Sequence, residues 1–353
     1  MFNKKKHLGL NSGFNAPFSL RSGTAPQFTA NPVITGTLEV GEILTCSNGT
    51  VTGTEPITYS YQWKRGTTNI GLDQNTYTTV VADEGENITC EVTATNAFGS
   101  DVGISNVVNV VLDPAFLTPT IWLNARTEDY TLVSGRISTW TATNGSNATQ
   151  GTAANRPIPI ADGTANVIDF DASTRWMTLN STLSEVVNSN NNTGGFEVWS
   201  IIKLDAGRTG TPVYFGARTA TKLYFQLFHG GGGRLRWFLG DTVGADARAL
   251  TTNAVFPIGQ TEWALVRLVH NETTNQMEIW VNGIQMTLDV TDAGNTAALD
   301  FTNYNPAYNV YLNGVNKTNV QASATSGMLF GDFMAFNRLL TTDEANALTN
   351  YYI

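Results

Sequence analysis

The chain has 353 residues, enough for two or three domains that each bury a core. Only 14% of residues are charged, well below the ~25% of an average soluble protein, and the formal net charge is −9. Too few cations remain to neutralise phosphates, which excludes nucleic acid as a partner, and no apolar run reaches the length needed for membrane insertion.

Residues 1–26 show no periodicity. Gly9, Gly13, Gly23, Pro17 and Pro26 interrupt any regular element, and Phe14, Phe18 and Leu20 stand isolated. The segment reads as an extended arm with no core of its own. Lys4 to Lys6 resemble the charged start of an export signal, but Gly9 splits Leu8 from Leu10 and Asn11 restores polarity. No export signal is therefore expected.

Residues 27–113 carry strand alternation. Tyr59, Tyr61 and Trp63 share one parity, and Thr58, Ser60, Gln62 and Lys64 share the other. Leu44 and Cys46 fall on one face, as do Ile88, Cys90, Val92 and Ala94. The stretches PVITGTLEVGEILTC, YSYQWKR, YTTVVADEGENITCEVTATNAFGS and SNVVNVV, in that order, resemble bacterial and phage immunoglobulin-like repeats. Cys46, Trp63 and Cys90 match the two sheet-bridging cysteines and the buried tryptophan of that fold. Ile88 departs from it, standing where antibody domains place a corner tyrosine. The resemblance implies a Cys46–Cys90 disulfide under oxidising conditions; two buried thiols packed on Trp63 are the alternative in a reducing cytosol.

Residues 114–353 form the longest stretch. Phe196 to Leu204, Tyr214-Phe215, Leu223 to Phe228 and Arg234 to Leu239 read as core strands. The glycine run Gly230 to Gly233 lacks the Lys-Ser/Thr pair of a phosphate loop and reads as a hairpin loop. Trp263 to Val269 is almost entirely apolar on both parities, as in a strand covered on both faces. Met277, Ile279 and Val281 alternate with Glu278, Trp280 and Asn282, which buries one face only. Asn282-Gly283 then suits a tight hairpin turn. Thr341 to Tyr352 reads as a helix, with Thr341 and Glu344 as a capping box and Ala345, Leu348 and Tyr352 as its apolar stripe. EWALVRLVH followed by EIWVNG resembles the inner hairpin of laminin-G-like, concanavalin A-like jelly rolls. TIWLNARTEDY, NVIDFDAST and GDFMAFNRLLTTDEANALTNYY extend the likeness to both ends of the region. The expected fold is all-β: an arm (1–26), an immunoglobulin-like sandwich (27–113) and a laminin-G/concanavalin A-like jelly roll with a short C-terminal helix (114–353).

Jelly-roll relatives include glycoside hydrolases, which need two carboxylates ~5–9 Å apart across the scissile bond. The glucanase string Glu-x-Asp-x-x-Glu is absent, and Glu278 stands alone on its strand. Asp169 and Asp171 share a parity but read as a strand end and turn cap around Phe170. His7, His229 and His270 lack metal or triad spacing, and no G-x-S-x-G occurs. No enzyme is expected. The family resemblance allows a calcium ion, with Asp171, Asp205, Asp241 or Asp332 as ligands, but no compact ligand loop is present, so no cofactor is assigned. Sugar binding needs aromatic platforms beside amides and carboxylates, and the candidates are Trp237, Tyr304, Tyr308 and Tyr311.

These features lead to one functional expectation. It is a multicopy protein on the surface of a tailed-phage virion, made in the host cytoplasm without an export signal. Head decoration or head fibre is favoured over tail fibre, because no long repetitive shaft is present. Phe14, Phe18 and Leu20 would anchor the arm to the major capsid protein or another virion protein, and the jelly roll would meet host-surface glycans. The alternative is a secreted bacterial adhesin or an accessory module of a glycoside hydrolase.

Overall fold

The computed structural model describes residues 22–127, 129–163, 165–170, 175–182, 194–204, 213–218, 223–229, 233–240, 246–255, 262–274, 276–289, 309–312 and 328–353. Phe14, Phe18, Leu20, Asp171, Asp205, Asp241, Tyr304 and Tyr308 lie outside them. The chain divides into two compact units. One holds the described residues through Leu38 with Glu42–Thr78 and Glu86–Asn109; the other holds Glu39–Gly41, Thr79–Gly85 and Val110–Ile353.

In the first unit, strands Thr58–Arg65 and Asn87–Asn96 pair antiparallel from Thr58 opposite Thr95 to Arg65 opposite Ile88. They are the middle of a five-stranded sheet, and Ile34–Thr35, Ile43–Cys46 and Thr76–Thr78 make a three-stranded one. Period-two alternation turns Leu44 and Cys46 inward from the smaller sheet and Trp63, Ile88, Cys90, Val92 and Ala94 inward from the larger, all buried. Trp63 stacks on Tyr77 with ring centroids 5.5 Å apart, and its indole Nε1 donates to the Gln74 carbonyl at 2.9 Å. A buried indole N–H is thereby satisfied. Cys46 and Cys90 come from different sheets and are not bridged; Cys46 Sγ donates to the Ser47 carbonyl at 3.5 Å and Cys90 Sγ to the Glu91 carbonyl at 3.9 Å. The neighbouring Cys46 thiol, reinforced by burial, pushes the Cys90 thiol well above the ordinary range, while Cys90 lowers Cys46.

The second unit is a two-sheet sandwich. Its eight-stranded sheet runs in the order Ile158–Asp162, Ala165–Phe170, Met328–Phe336, Gly195–Leu204, Trp263–Asn271, Gln276–Val281, Ile284–Gln285, with Ile121–Leu123 also on Met328–Phe336. A nine-stranded sheet lies opposite. Alternate residues of the first sheet (Phe196, Val198 and Ile202, then Ala264, Val266 and Leu268) meet Phe215, Leu235, Trp237 and Leu239 of the second in one core. The edge-to-face pairs Phe215–Phe333 at 5.3 Å and Phe196–Trp237 at 6.2 Å cross between the two sheets. All pairings in both units' sheets are antiparallel, so the fold is all-β apart from one helix among the described residues, Thr342–Tyr352, and three short 3-10 turns.

Two local features position the site. At the turn after Gln276–Val281, Asn282 and Gly283 both take positive φ, 50° and 77°, as a two-residue hairpin requires. A Cβ on Gly283 would also come within 2.9 Å of Thr349 Cγ2, so this turn and the helix need that glycine for their close approach. The helix begins in a reciprocal cap: Thr341 Oγ1 accepts from Glu344 N at 3.2 Å and Glu344 Oε2 accepts from Thr341 N at 2.8 Å. Arg338 adds two bonds to the same carboxylate, at 2.7 and 2.8 Å. Burial raises the Glu344 pKa, but the bonds from Arg338 and Thr341 outweigh it, and the net shift is downward. A depressed folded pKa means that Glu344 stabilises above its unfolded pKa and ceases to do so as pH falls through the folded value. Glu344→Gln is therefore expected to cost about 1 kcal/mol near pH 7. Thermal unfolding of the two proteins should converge once the pH drops below the folded Glu344 pKa.

Candidate functional site

On the eight-stranded sheet, the residues that do not face the core form an outer face. The register aligns them into ladders across three strands. Trp199 lies opposite Arg267, which lies opposite Trp280; Glu197 lies opposite Val269, which lies opposite Glu278. Directly opposed residues share a face, so these side chains are neighbours. The Thr342–Tyr352 helix covers part of this face by burying Ala345, Ala347 and Leu348. Leu340 N donates to Glu197 Oε1 at 2.9 Å, and Tyr352 Oη donates to Asp332 Oδ2 at 2.6 Å. Among the described residues, two clefts open beside the helix.

The first cleft has a volume of about 250 Å³ and is lined by Trp199, Arg267, Glu278, Trp280, Asn271 and Asn346 among others. The Arg267 guanidinium carbon sits 5.2 Å from both the Trp199 and the Trp280 ring centroids. Its Nε and Nη2 bond the Glu197 carboxylate at 2.9 and 2.8 Å. Glu197 also accepts from Trp199 Nε1 at 2.9 Å and from Leu340 N, which fills the four lone-pair positions of a carboxylate. Glu278 Oε2 accepts from Trp280 Nε1 at 2.7 Å and thus fixes the plane of that half-buried indole.

The second cleft, about 230 Å³, is lined by Arg126, Asn166, Ile201, Trp263, Asp332 and Tyr352 among others. Its chemistry repeats that of the first. Trp263 Nε1 donates to Asp162 Oδ2 at 2.6 Å, and Lys203 Nζ meets the same oxygen at 2.7 Å while lying 5.5 Å from the Trp263 ring centroid. The hydrogen bond from Lys203 lowers the Asp162 pKa. At the other wall the Arg126 guanidinium lies 4.6 Å from both the Tyr351 and the Tyr352 ring centroids. Asp332, fully buried, accepts from Trp122 Nε1 at 3.3 Å, Ala125 N at 3.0 Å, Arg126 Nη2 at 3.2 Å and Tyr352 Oη. Burial and the adjacent Asp332 push the Tyr352 hydroxyl well above the ordinary tyrosine range, so it stays a donor.

Each cleft thus offers a half-buried indole whose N–H is tied to a carboxylate and which has a cation beside its ring. Such an indole presents a fixed apolar plane beside hydrogen-bonding groups, the pairing a sugar ring requires. Glu197 and Asp332 each accept from four donors, so each carboxylate is held as a structural anion.

No protein-family model and no curated protein matches the chain. Solved structures similar to it include the ligand-binding domain of botulinum neurotoxin serotype D in complex with N-acetylneuraminic acid (TM-score 0.42, 13% identity, 66% of this chain and 51% of that one). The binding domain of botulinum neurotoxin DC in complex with SialylT gives a TM-score of 0.40 at 12% identity over the same shares. The Trypanosoma rangeli sialidase in complex with 2,3-difluorosialic acid gives 0.44 at 10% identity, over 91% of this chain and 53% of that one. The chain spans about half the length of each.

Two of the platforms proposed from sequence are corrected by the structure. Trp237 is 0% exposed in the middle of the sandwich core, edge-on to Phe196, and no ligand can reach its ring. Tyr311 is 9% exposed, packed at 5.4 Å against Trp176, and offers no open face; burial raises its pKa. Tyr304 and Tyr308 fall outside the described residues. Asp332, one of the candidate calcium ligands, is instead the counter-ion of Arg126. Among the described residues no group of three or more His, Cys, Asp or Glu side chains is placed to hold a metal ion. Trp263, Trp280, Arg267 and Arg126 were not singled out by sequence. Their signal was parity: Trp280 and Glu278 alternate with core-facing Met277 and Ile279.

Proposed function

We propose that this chain is a non-enzymatic surface protein of a tailed-phage virion, on the head rather than the tail, whose jelly-roll unit binds glycans weakly through its outer-face clefts. The observation that carries the glycan half is the repeated pairing of a half-buried tryptophan with a carboxylate and a cation, in two open clefts on one sheet face. The virion half rests on the likeness of residues 27–113 to phage immunoglobulin-like repeats and on the weakly charged, Asn- and Thr-rich composition. A single shallow cleft holds a sugar weakly, so useful attachment comes from many copies on one particle. The arm would supply the contact to the major capsid protein or another virion protein.

The test has two arms. On a glycan array, Trp280→Ala and Trp263→Ala should each lower binding several-fold to roughly 10-fold, the loss expected from one stacking platform. Binding that survives both changes rejects this face. Particles probed with antibody against the chain should label on the head; unlabelled particles reject the virion assignment.

A further inference from the structure

We infer that the two clefts act together on one extended, uncharged glycan, rather than each on a terminal or acidic sugar. The inference rests on the glycan reading of the outer face and adds to it the class of ligand. Two observations carry it, one of spacing and one of charge.

Trp263 and Arg267 lie on the same face of one strand, four residues apart, and Arg267 is opposite Trp280 on the next strand. At ~3.4 Å per residue and ~4.8 Å between strands, the two platforms are ~14 Å apart. That exceeds the width of one pyranose ring, and a short oligosaccharide spans it. Between them on the strand is Leu265, whose N–H and carbonyl are both bonded to Asn282, at 2.9 Å in each case. Leu265 shares the face of Trp263 and Arg267 and lies opposite Ile201, so the stretch joining the clefts is apolar and is bordered by the exposed Asn282 turn.

Charge selects the kind of glycan. Among the described residues, Arg267 and Arg126 line these clefts and Lys203 lies beside Trp263, and each is already in an ion pair, with Glu197, Asp332 and Asp162 respectively. Glu278 adds a fourth carboxylate with no cation assigned to it, so three cations face four carboxylates. A sialic or uronic acid would have to break one of these pairs or approach Glu278 uncompensated, and both cost free energy. Hydroxyl groups need neither, since remaining guanidinium N–H groups, Asn166, Asn271 and Asn346 can bond them without any change of net charge.

The experiment is a titration of the full chain with ladders of one to six sugars. Neutral ladders (gluco-, manno- and chito-oligosaccharides) are compared with acidic ones (oligogalacturonate and oligosialic acid). At least one neutral ladder should gain roughly 100-fold in affinity between its monosaccharide and its hexasaccharide, as expected when two linked contacts engage together. Trp263→Ala or Trp280→Ala should each return the hexasaccharide to near the monosaccharide value, and Trp280→Phe, which keeps a platform, should retain most of the gain. Unchanged thermal unfolding shows that these variants are folded. Tighter binding of an acidic ladder overturns the charge argument. Binding that does not depend on length overturns the bridging argument but leaves the glycan function standing. Failure of every ladder to bind overturns both the inference and the function on which it rests.

Discussion

Replacing Asp332 with Ala is expected to destabilise the C-terminal unit by about 3–5 kcal/mol, the cost of removing one partner of a buried, hydrogen-bonded ion pair. Its carboxylate is fully buried and accepts from Trp122, Ala125, Arg126 and Tyr352. Three of these donors lie more than 200 residues away in sequence, and the fourth is in the terminal helix. Alanine leaves the Ala125 N–H and Trp122 Nε1–H without an acceptor and Arg126 without a counter-ion. It also frees Tyr352, and with it the end of the helix that walls the second cleft. Urea unfolding should show a lower midpoint at an unchanged slope. Asp332→Asn keeps the shape but turns an acceptor into a donor toward at least one of the four N–H or O–H groups, and should fall between wild type and alanine. A loss below 1 kcal/mol in the alanine variant would show that these contacts are not the unit's anchor.

The second large effect concerns the immunoglobulin-like unit. Cys46 and Cys90 face each other from two sheets, each buried and unbridged. Oxidation would close a loop of about 45 residues, for which the chain-entropy estimate is about 4 kcal/mol. For a unit of this size each kcal/mol moves the melting temperature by about 4–8 °C. Mild oxidation is therefore expected to remove the free thiols without forming dimers and to raise the melting temperature of this unit by about 10 °C or more. Because both thiols are buried, the reaction should be slow until the unit is warmed or loosened with denaturant. Cys90→Ala abolishes the gain. An oxidised protein that melts at or below the reduced temperature would mean that bridging strains the sheets.

The fold was legible where alternation and turn chemistry agreed. Leu44 with Cys46 and Cys90 with Val92 share a parity, and the structure turns each pair inward. Asn282-Gly283 is a dipeptide tolerant of positive φ, and both residues adopt it. Thr341 and Glu344 have the spacing of a reciprocal cap and form one. The site was not legible, for a reason visible in two tryptophans. In RLRWFL, Trp237 shares its parity with Leu235 and Leu239, and all three enter the core; in MEIWVNG, Trp280 shares its parity with Glu278, and both stay outside. The parity signal was present in both, but aromatics beside amides in sequence point toward Tyr304, Tyr308 and Tyr311 instead. What no local pattern encodes is register. That Trp199, Arg267 and Trp280 stand side by side follows from strand alignments between residues 68 and 13 positions apart, which only the assembled sheet fixes.

The Met328–Phe336 strand lies inside the eight-stranded sheet and pairs with Ile121–Leu123, Ala165–Phe170 and Gly195–Leu204. A ribosome makes this central strand after every strand that it joins. Until it emerges, Ala165–Phe170 and Gly195–Leu204 each keep an unpaired backbone edge, and the nascent sandwich has a gap in its middle rather than at its rim. Contacts of such long sequence separation close slowly, and open edges recruit other chains in the meantime. The immunoglobulin-like sheets need nothing beyond Asn109 and can form while the rest is still being translated. The two units therefore have opposite relations to the direction of synthesis, one maturing as it leaves the ribosome and the other waiting for the last of its strands.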